Sequence, residues 1–119
     1  MIAQEIFDQV VAHLGRQRAR SIDHDTGLCL YRGPDGLKCA VGCLITDAEY
    51  TSEMDTLGSD VRDLQDGGLL PERLRDDVGL LSYLQEVHDY HDVSTWRAHL
   101  GAAARKFSLQ WKPEVYGEY

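Results

Sequence analysis

The sequence predicts a mainly helical α+β fold, a single small domain of about four to five helices with one short β-hairpin near residues 28–41. Two observations lead to this fold class. Apolar residues recur at helical spacing in the first, the central and the last part of the chain. Between the first and central parts, short apolar runs flank Gly33-Pro34-Asp35-Gly36, a sequence typical of a turn between two strands.

The first helix is predicted by apolar residues at every fourth position, which form one stripe on a helix over residues 3–14. This stripe contains Ile2, Ile6, Val10 and Leu14. Gly15 follows as the expected stop. Three basic residues come next, Arg16, Arg18 and Arg20. Their charge is favourable near the carboxyl end of a helix, so the cluster is explained without nucleic acid.

The predicted hairpin pairs a strand at residues 28–31 with a return strand at residues 37–41. A buried helix over residues 38–45 is the alternative, because a short apolar run does not distinguish strand from helix. Gly42 disfavours a long helix. We therefore favour a hairpin whose second strand passes into a tight helical turn near Cys43.

The segment after the hairpin is predicted to hold two short helical pieces. Thr46 followed by Glu49 has the spacing of a helix start, but few apolar residues follow it before Gly58. Ser59 is the predicted cap of a second piece, which Gly67 and Gly68 end. Both pieces are expected to be short.

Two longer helices are predicted in the second half of the chain. The central one lies in the segment from Pro71 onwards and has about 15 residues up to Tyr90, with a break or bend at Gly79. Asp92 or Ser94 is expected to cap the last one. That helix presents an apolar face made by Trp96, Leu100, Ala103 and Phe107. An irregular tail is expected over about residues 109–119.

Length and composition predict one cytoplasmic domain over residues 1–119. The chain has 119 residues, of which 43% are hydrophobic, enough for one modest core. We expect neither a membrane span nor a signal sequence, because no long apolar run occurs and residues 1–8 lack a basic flank followed by an apolar core. Three cysteines without an export signal predict free or metal-bound thiols instead of disulfides.

Negative charge is concentrated in the middle of the chain. Residues 47–92 hold thirteen acids and three bases, whereas residues 1–46 hold five of each. If these acids share a face, they repel nucleic acid and attract a basic protein surface. A merely solvated surface is the plainer explanation. The candidate partner-binding residues are Asp47, Glu49, Glu53, Asp55, Asp60, Asp63, Asp66 and, in the tail, Trp111.

The cysteines and histidines raise the question of a metal or catalytic site. The candidate zinc ligands are Cys39, Cys43, His88 and His91, but a second closely spaced cysteine pair is missing. A Cys39 thiolate assisted by Lys38 and a histidine is a further alternative. The apolar neighbours of the cysteines favour buried, inert thiols. We therefore assign no catalytic residue, no metal and no cofactor.

Residues 31–45, Tyr-Arg-Gly-Pro-Asp-Gly-Leu-Lys-Cys-Ala-Val-Gly-Cys-Leu-Ile, resemble a block found in small, uncharacterised phage, prophage and bacterial proteins. The similarity extends to residues 4–8, 50–54 and 84–89 and to Trp96. It implies a small phage-like accessory protein. It implies no particular activity for any residue.

These observations predict a small non-enzymatic accessory protein that binds and modulates a host or phage protein. The acidic segment suggests a basic, nucleic-acid-binding host factor as the partner, engaged by imitation of phosphate charge. Direct binding to nucleic acid or membrane is not expected. The alternative is a small metal-binding or thiol-dependent enzyme centred on Cys39, Cys43 and His88.

Overall fold

A computed structural model describes residues 1–56 and 60–117. Those residues form six α-helices, joined by loops and by four short 3₁₀ helices. The α-helices are α1 (Ala3–Gln17), α2 (Glu53–Thr56), α3 (Val61–Asp66), α4 (Val78–Tyr90), α5 (Trp96–Lys106) and α6 (Pro113–Tyr116). The 3₁₀ helices are Pro34–Gly36, Gly42–Leu44, Glu72–Asp77 and Val93–Thr95.

The predicted α+β class and its β-hairpin are wrong, because residues 1–56 and 60–117 contain no strand and no sheet. The turn at residues 33–36 does form, and the Gly33 N–H donates to the Leu37 carbonyl at 2.8 Å. The two arms of this turn meet at one isolated antiparallel bridge, between Arg32 and Lys38. The fold is therefore all-helical over the described part of the chain.

Side-chain oxygens accept hydrogen bonds from backbone N–H groups that a hairpin would use to pair its strands. Asp55 accepts the Tyr31 N–H at 2.6 Å, Gln17 accepts the Lys38 N–H at 3.0 Å, and Gln85 accepts the Val41 N–H at 3.0 Å. Because these donors are already satisfied, the segment is held without a partner strand. It passes instead into the 3₁₀ helix Gly42–Leu44, which agrees with the predicted tight turn near Cys43.

The predicted first helix is confirmed, but its predicted end at Gly15 is wrong. Helix α1 continues to Gln17. Its carboxyl-terminal cap is Arg18, which has a left-handed backbone with φ of 45°. Gly15 is instead a contact point between helices. A Cβ atom at this position would lie 2.1 Å from the carbonyl oxygen of Tyr116, so only glycine allows α1 and α6 to approach this closely.

The predicted central and last helices are also present. The segment after Pro71 is first a 3₁₀ helix, and the α-helical part starts at Val78 and ends at Tyr90. Asp92 caps the next 3₁₀ helix by accepting the Ser94 N–H at 3.1 Å. The buried faces of α1, α4 and α5 form the core, which includes Phe7, Val10, Leu14, Leu81, Leu84, Val87, Trp96, Leu100 and Ala103.

The short pieces between these helices match the predictions only in part. Thr46 and Glu49 exchange the reciprocal backbone bonds of a capping box, but only one turn follows. The predicted cap Ser59 lies outside the described residues. The Asp60 side chain caps α3 by accepting the Arg62 N–H at 2.9 Å.

The predicted irregular tail contains helix α6, and this helix packs on α1. Tyr116 is buried in that contact, at 4% exposure. None of the helices in the described ranges is both long and apolar enough to cross a membrane.

Candidate functional site

Three of the predicted partner-binding acids bond to other groups of the protein. Asp47 pairs with Arg32, and Glu49 pairs with Arg73 through two hydrogen bonds. The Arg73 guanidinium lowers the pKa of Glu49 to about 2. Asp55 accepts hydrogen bonds from the Tyr31 N–H and the Tyr50 hydroxyl. These contacts hold the loops around residues 31–50, and they leave Glu49 and Asp55 less accessible to a partner than Asp47, whose side chain is 88% exposed.

The other predicted acids point to solvent. Glu53, Asp60, Asp63 and Asp66 are all exposed. Asp60, Asp63 and Asp66 follow one another at three-residue spacing, which places them along one side of α3. The helix therefore carries a row of carboxylates on its outer surface.

A cleft between α3 and α4 joins this row to further carboxylates. The cleft has a volume of about 100 Å³. Its lining residues are Asp60, Val61, Arg62, Ser82, Gln85, Glu86, Asp89 and Tyr90. Asp60 at the start of α3 and two acids of α4, the exposed Glu86 and the nearly buried Asp89, thus line one cleft together with one base, Arg62. We call this site the acidic cleft.

Buried hydrogen bonds fix the Asp89 side of the acidic cleft. The His88 ring is fully buried, and its Nδ1 lies 2.7 Å from Asp89 Oδ1. The Ser21 backbone N–H donates to His88 Nε2 at 3.0 Å. Since Nε2 accepts this hydrogen bond, the ring proton is on Nδ1, and the Nδ1–H donates a hydrogen bond to Asp89. Gln85 also donates to Asp89, at 3.2 Å, so this carboxylate is held in one orientation.

The Tyr31 hydroxyl is a further polar group, in the interior of the fold. It is buried and has no hydrogen-bond partner among the described residues. Burial raises the pKa of Tyr31 most strongly, and Cys39, Asp89, Asp55 and Asp60 add to the effect. The charges of two residues that line the cleft therefore reach this hydroxyl.

One group of possible metal ligands occurs within residues 1–56 and 60–117. Its members are Cys29, His88 and Asp89, whose ligand atoms all lie within 4.8 Å of one another. A metal on His88 Nδ1 would require the ring proton to be on Nε2. The Nε2–H and the Ser21 N–H would then face each other as two donors, and neither would have an acceptor. The hydrogen bonds therefore favour a structural role for this group.

The metal candidates from the sequence are not gathered into such a group. Cys39 is buried and accepts the Gly42 N–H, and Cys43 donates to the Ala40 carbonyl at 3.0 Å. His91 stacks on His99, with ring centroids 3.7 Å apart. His88 lies in the network with Asp89 described above. These four candidates are placed in separate surroundings.

The thiols are poorly suited to nucleophilic chemistry in this fold. Burial is the main cause that raises the pKa of Cys29 to about 12 and of Cys43 to about 12, and it also raises that of Cys39. The lone pair of His88 Nε2 is already taken by Ser21. A thiol–imidazole pair of the kind that cysteine hydrolases use is therefore not assembled around these residues.

Trp111 is the aromatic residue predicted to contact a partner, but Tyr90 is the more exposed ring. Trp111 is half-buried, packs near Phe7 with ring centroids 6.2 Å apart, and covers Gly101. Tyr90 lies at the rim of the acidic cleft and is 73% exposed. Sequence reasoning missed Tyr90, although its position four residues after Glu86 places both on the same outer side of α4.

Comparison with protein-family models, with curated proteins and with solved structures gives no match to this chain. The resemblance of residues 31–45 to phage and bacterial proteins therefore stays a prediction.

Proposed function

We propose that the protein is a non-enzymatic binding module, and that its acidic cleft takes a lysine or arginine side chain from a basic protein partner. The observation that carries this proposal is the meeting of Asp60, Glu86 and Asp89 at one cleft. The lining holds three carboxylates and one guanidinium, that of Arg62, so a cation placed there meets a net negative charge. One of them, Asp89, is already held in place, so little ordering cost remains on that side.

The size of the cleft supports a side chain as its occupant. A volume of about 100 Å³ is below the range of small-molecule sites, roughly 300–1,000 Å³. Tyr90 offers an exposed ring beside the cleft, where a cation or the hydrocarbon part of a lysine can pack. Exposed aromatic residues beside a charged site are common in protein interfaces.

The row on α3 favours a partner that ordinarily binds phosphate groups. Asp60, Asp63 and Asp66 present regularly spaced negative charges to solvent. A basic nucleic-acid-binding protein carries cations that suit such a row, so imitation of phosphate charge is the form of the proposal that we favour. Binding should then weaken steeply as the salt concentration rises. A cytoplasmic location fits this proposal, because the thiols of Cys29, Cys39 and Cys43 stay reduced there.

The test compares two double variants that change the net charge equally. Asp60→Asn with Glu86→Gln removes two charges from the acidic cleft, and asparagine keeps the cap of α3. Glu53→Gln with Asp76→Asn removes two exposed charges elsewhere. A peptide of alternating lysine and glycine serves as the probe, and its affinity is measured by calorimetry at low and moderate salt.

We expect the cleft variant to bind the peptide at least about tenfold more weakly, which corresponds to about 1.4 kcal/mol. The control variant should change affinity by less than about twofold. Equal losses in the two variants would mean that the peptide senses only net charge, and the proposed cleft would have no binding role. Affinity that does not change with salt would contradict the imitation of phosphate.

A further inference from the structure

A second pocket, away from the acidic cleft, lies where the end of α1, the start of α5 and α6 meet. It has a volume of about 390 Å³, within the range of small-molecule sites. Its lining residues are Arg18, Val93, Ser94, Arg97 and Tyr116, and most of its surface is apolar. No carboxylate from the described ranges lines it, although the protein as a whole carries a net charge of −8. We call it the arginine pocket.

Arg97 differs from the other half-buried arginines of the described chain. Arg18, Arg20, Arg32 and Arg73 each donate to a backbone carbonyl or a carboxylate. The Arg97 guanidinium has no hydrogen bond or ion pair within residues 1–56 and 60–117, and its Nε is buried without a partner. The Nε atoms of Arg20 and Arg32 are buried in the same way, but those two arginines use their Nη donors within the protein, whereas the Nη donors of Arg97 are available to an anion.

Arg18 adds a second positive charge in a fixed position. Its Nε donates to the Gly15 carbonyl at 2.7 Å and its Nη2 to the Tyr116 carbonyl at 3.3 Å. The guanidinium lies over the Tyr116 ring, 4.9 Å from the centroid. Burial raises the pKa of Tyr116, and the charges of Arg18 and Arg97 both oppose that shift. The two cations therefore act on the same pocket wall.

We propose that the arginine pocket binds an organic carboxylate with an apolar body. The planar guanidinium of Arg97 has free donors that match the two oxygens of a carboxylate. Arg18 supplies further attraction, and Val93 with the Tyr116 ring supplies an apolar wall for the rest of the ligand. This site is independent of the proposed protein partner, because it shares no residue with the acidic cleft.

Octanoate is the probe for a first test, since it joins one carboxylate to a flexible apolar chain. Arginine Nε–H resonances and backbone amides are followed by NMR during the titration. We expect saturable shifts centred on Arg97, Arg18 and Val93. Octylammonium, which has the same chain and the opposite charge, should give no such shifts, and inorganic phosphate should bind at least about tenfold more weakly. If phosphate bound as tightly as octanoate, the proposal that the ligand has an apolar body would be wrong.

Matched variants separate the pocket from the overall charge. Arg97→Gln should weaken octanoate binding at least about tenfold, whereas Arg105→Gln, which removes an exposed charge from the same helix, should leave it within about twofold. Arg97→Lys keeps the charge without the planar fork and should give an intermediate loss. The thermal unfolding of each variant shows whether it is folded. If Arg97→Gln and Arg97→Lys both bind octanoate as the unaltered protein does, the proposal is wrong.

Discussion

Two parts of the chain differ in where most of their polar groups point: those of residues 31–45 face the interior, and those of residues 60–90 face solvent. In the first part, side chains from other elements accept the inward backbone N–H groups, and the Cys43 thiol donates to the Ala40 carbonyl of the same segment. In the second part, the carboxylates on α3 and Glu86 on α4 are directed to solvent. An unusual sequence segment can therefore serve to hold the fold, while ordinary acidic residues form the exposed surface.

Gln85 and Asp89 connect the two parts. Gln85 accepts the Val41 N–H with its oxygen and donates to Asp89 with its nitrogen. One amide therefore holds both the buried segment and a wall of the acidic cleft. Changes in the first part should lower stability, and changes on the exposed carboxylates should leave it nearly unaltered.

The largest expected effect comes from Gly42→Ala. A Cβ atom at this position would lie 2.2 Å from the Tyr31 carbonyl oxygen, so the backbone has to shift. We expect the free energy of unfolding to fall by about 3 kcal/mol, at the upper end of the usual cost of overpacking. Urea denaturation measures it through the midpoint of the transition.

Gly79→Ala is the control for this change. Gly79 lies in α4, is exposed, and an added Cβ would meet only Phe107 at 3.9 Å. Alanine there should raise stability by up to about 1 kcal/mol, because it favours the helix. Similar effects of the two substitutions would contradict the close approach of Gly42 to Tyr31.

A smaller loss is expected for Gln85→Leu, which tests the connection between the two parts. Leucine is similar in size, but it leaves the buried Val41 N–H without an acceptor and Asp89 with one donor fewer. The expected loss is about 2 kcal/mol by urea denaturation. Gln65→Leu, at an exposed position of α3, should change stability by less than about 0.5 kcal/mol. Equal changes in stability for the two variants would show that Gln85 does not connect the two parts of the chain.

The helices could be predicted because their signal is local. The apolar stripes of α1, α4 and α5 repeat over several turns, and the Asp92 cap lies next to the helix it starts. The hairpin could not be decided in the same way. Gln17 and Gln85 are distant in sequence from residues 31–45, yet they take the donors of that segment. Local propensity contains no information about such bonds.

The candidate sites were predictable to different degrees. The segregation of negative charge is visible in the sequence, but its division into inward and outward carboxylates depends on which arginines lie opposite. Glu49 and Asp63 look alike in the sequence, and only the fold places Arg73 beside Glu49. The arginine pocket was not predicted, because Arg18 and Arg97 are brought together by the packing of α1, α5 and α6.

The smallest expected effect concerns Glu49 itself and its dependence on pH. The pKa of Glu49 falls from 4.5 to about 2 in the folded protein, mainly through its hydrogen bonds with Arg73. A carboxyl with a lowered pKa binds fewer protons when folded than when unfolded, so its contribution is complete above pH 4.5 and is lost as the pH falls toward 2. Both side chains of the pair are about one-third exposed, and solvent screening keeps the contribution below about 1 kcal/mol.

Glu49→Gln should therefore lower stability slightly at neutral pH, and the difference from the unaltered protein should disappear toward pH 2. Urea denaturation across this pH range measures the difference. Glu72→Gln, an exposed acid outside this ion pair, is the control and should show no comparable trend. If the Glu49→Gln difference stayed constant as the pH fell, the Arg73 contact would not favour the charged carboxylate. Glu49 would then belong with the outward acids of α3.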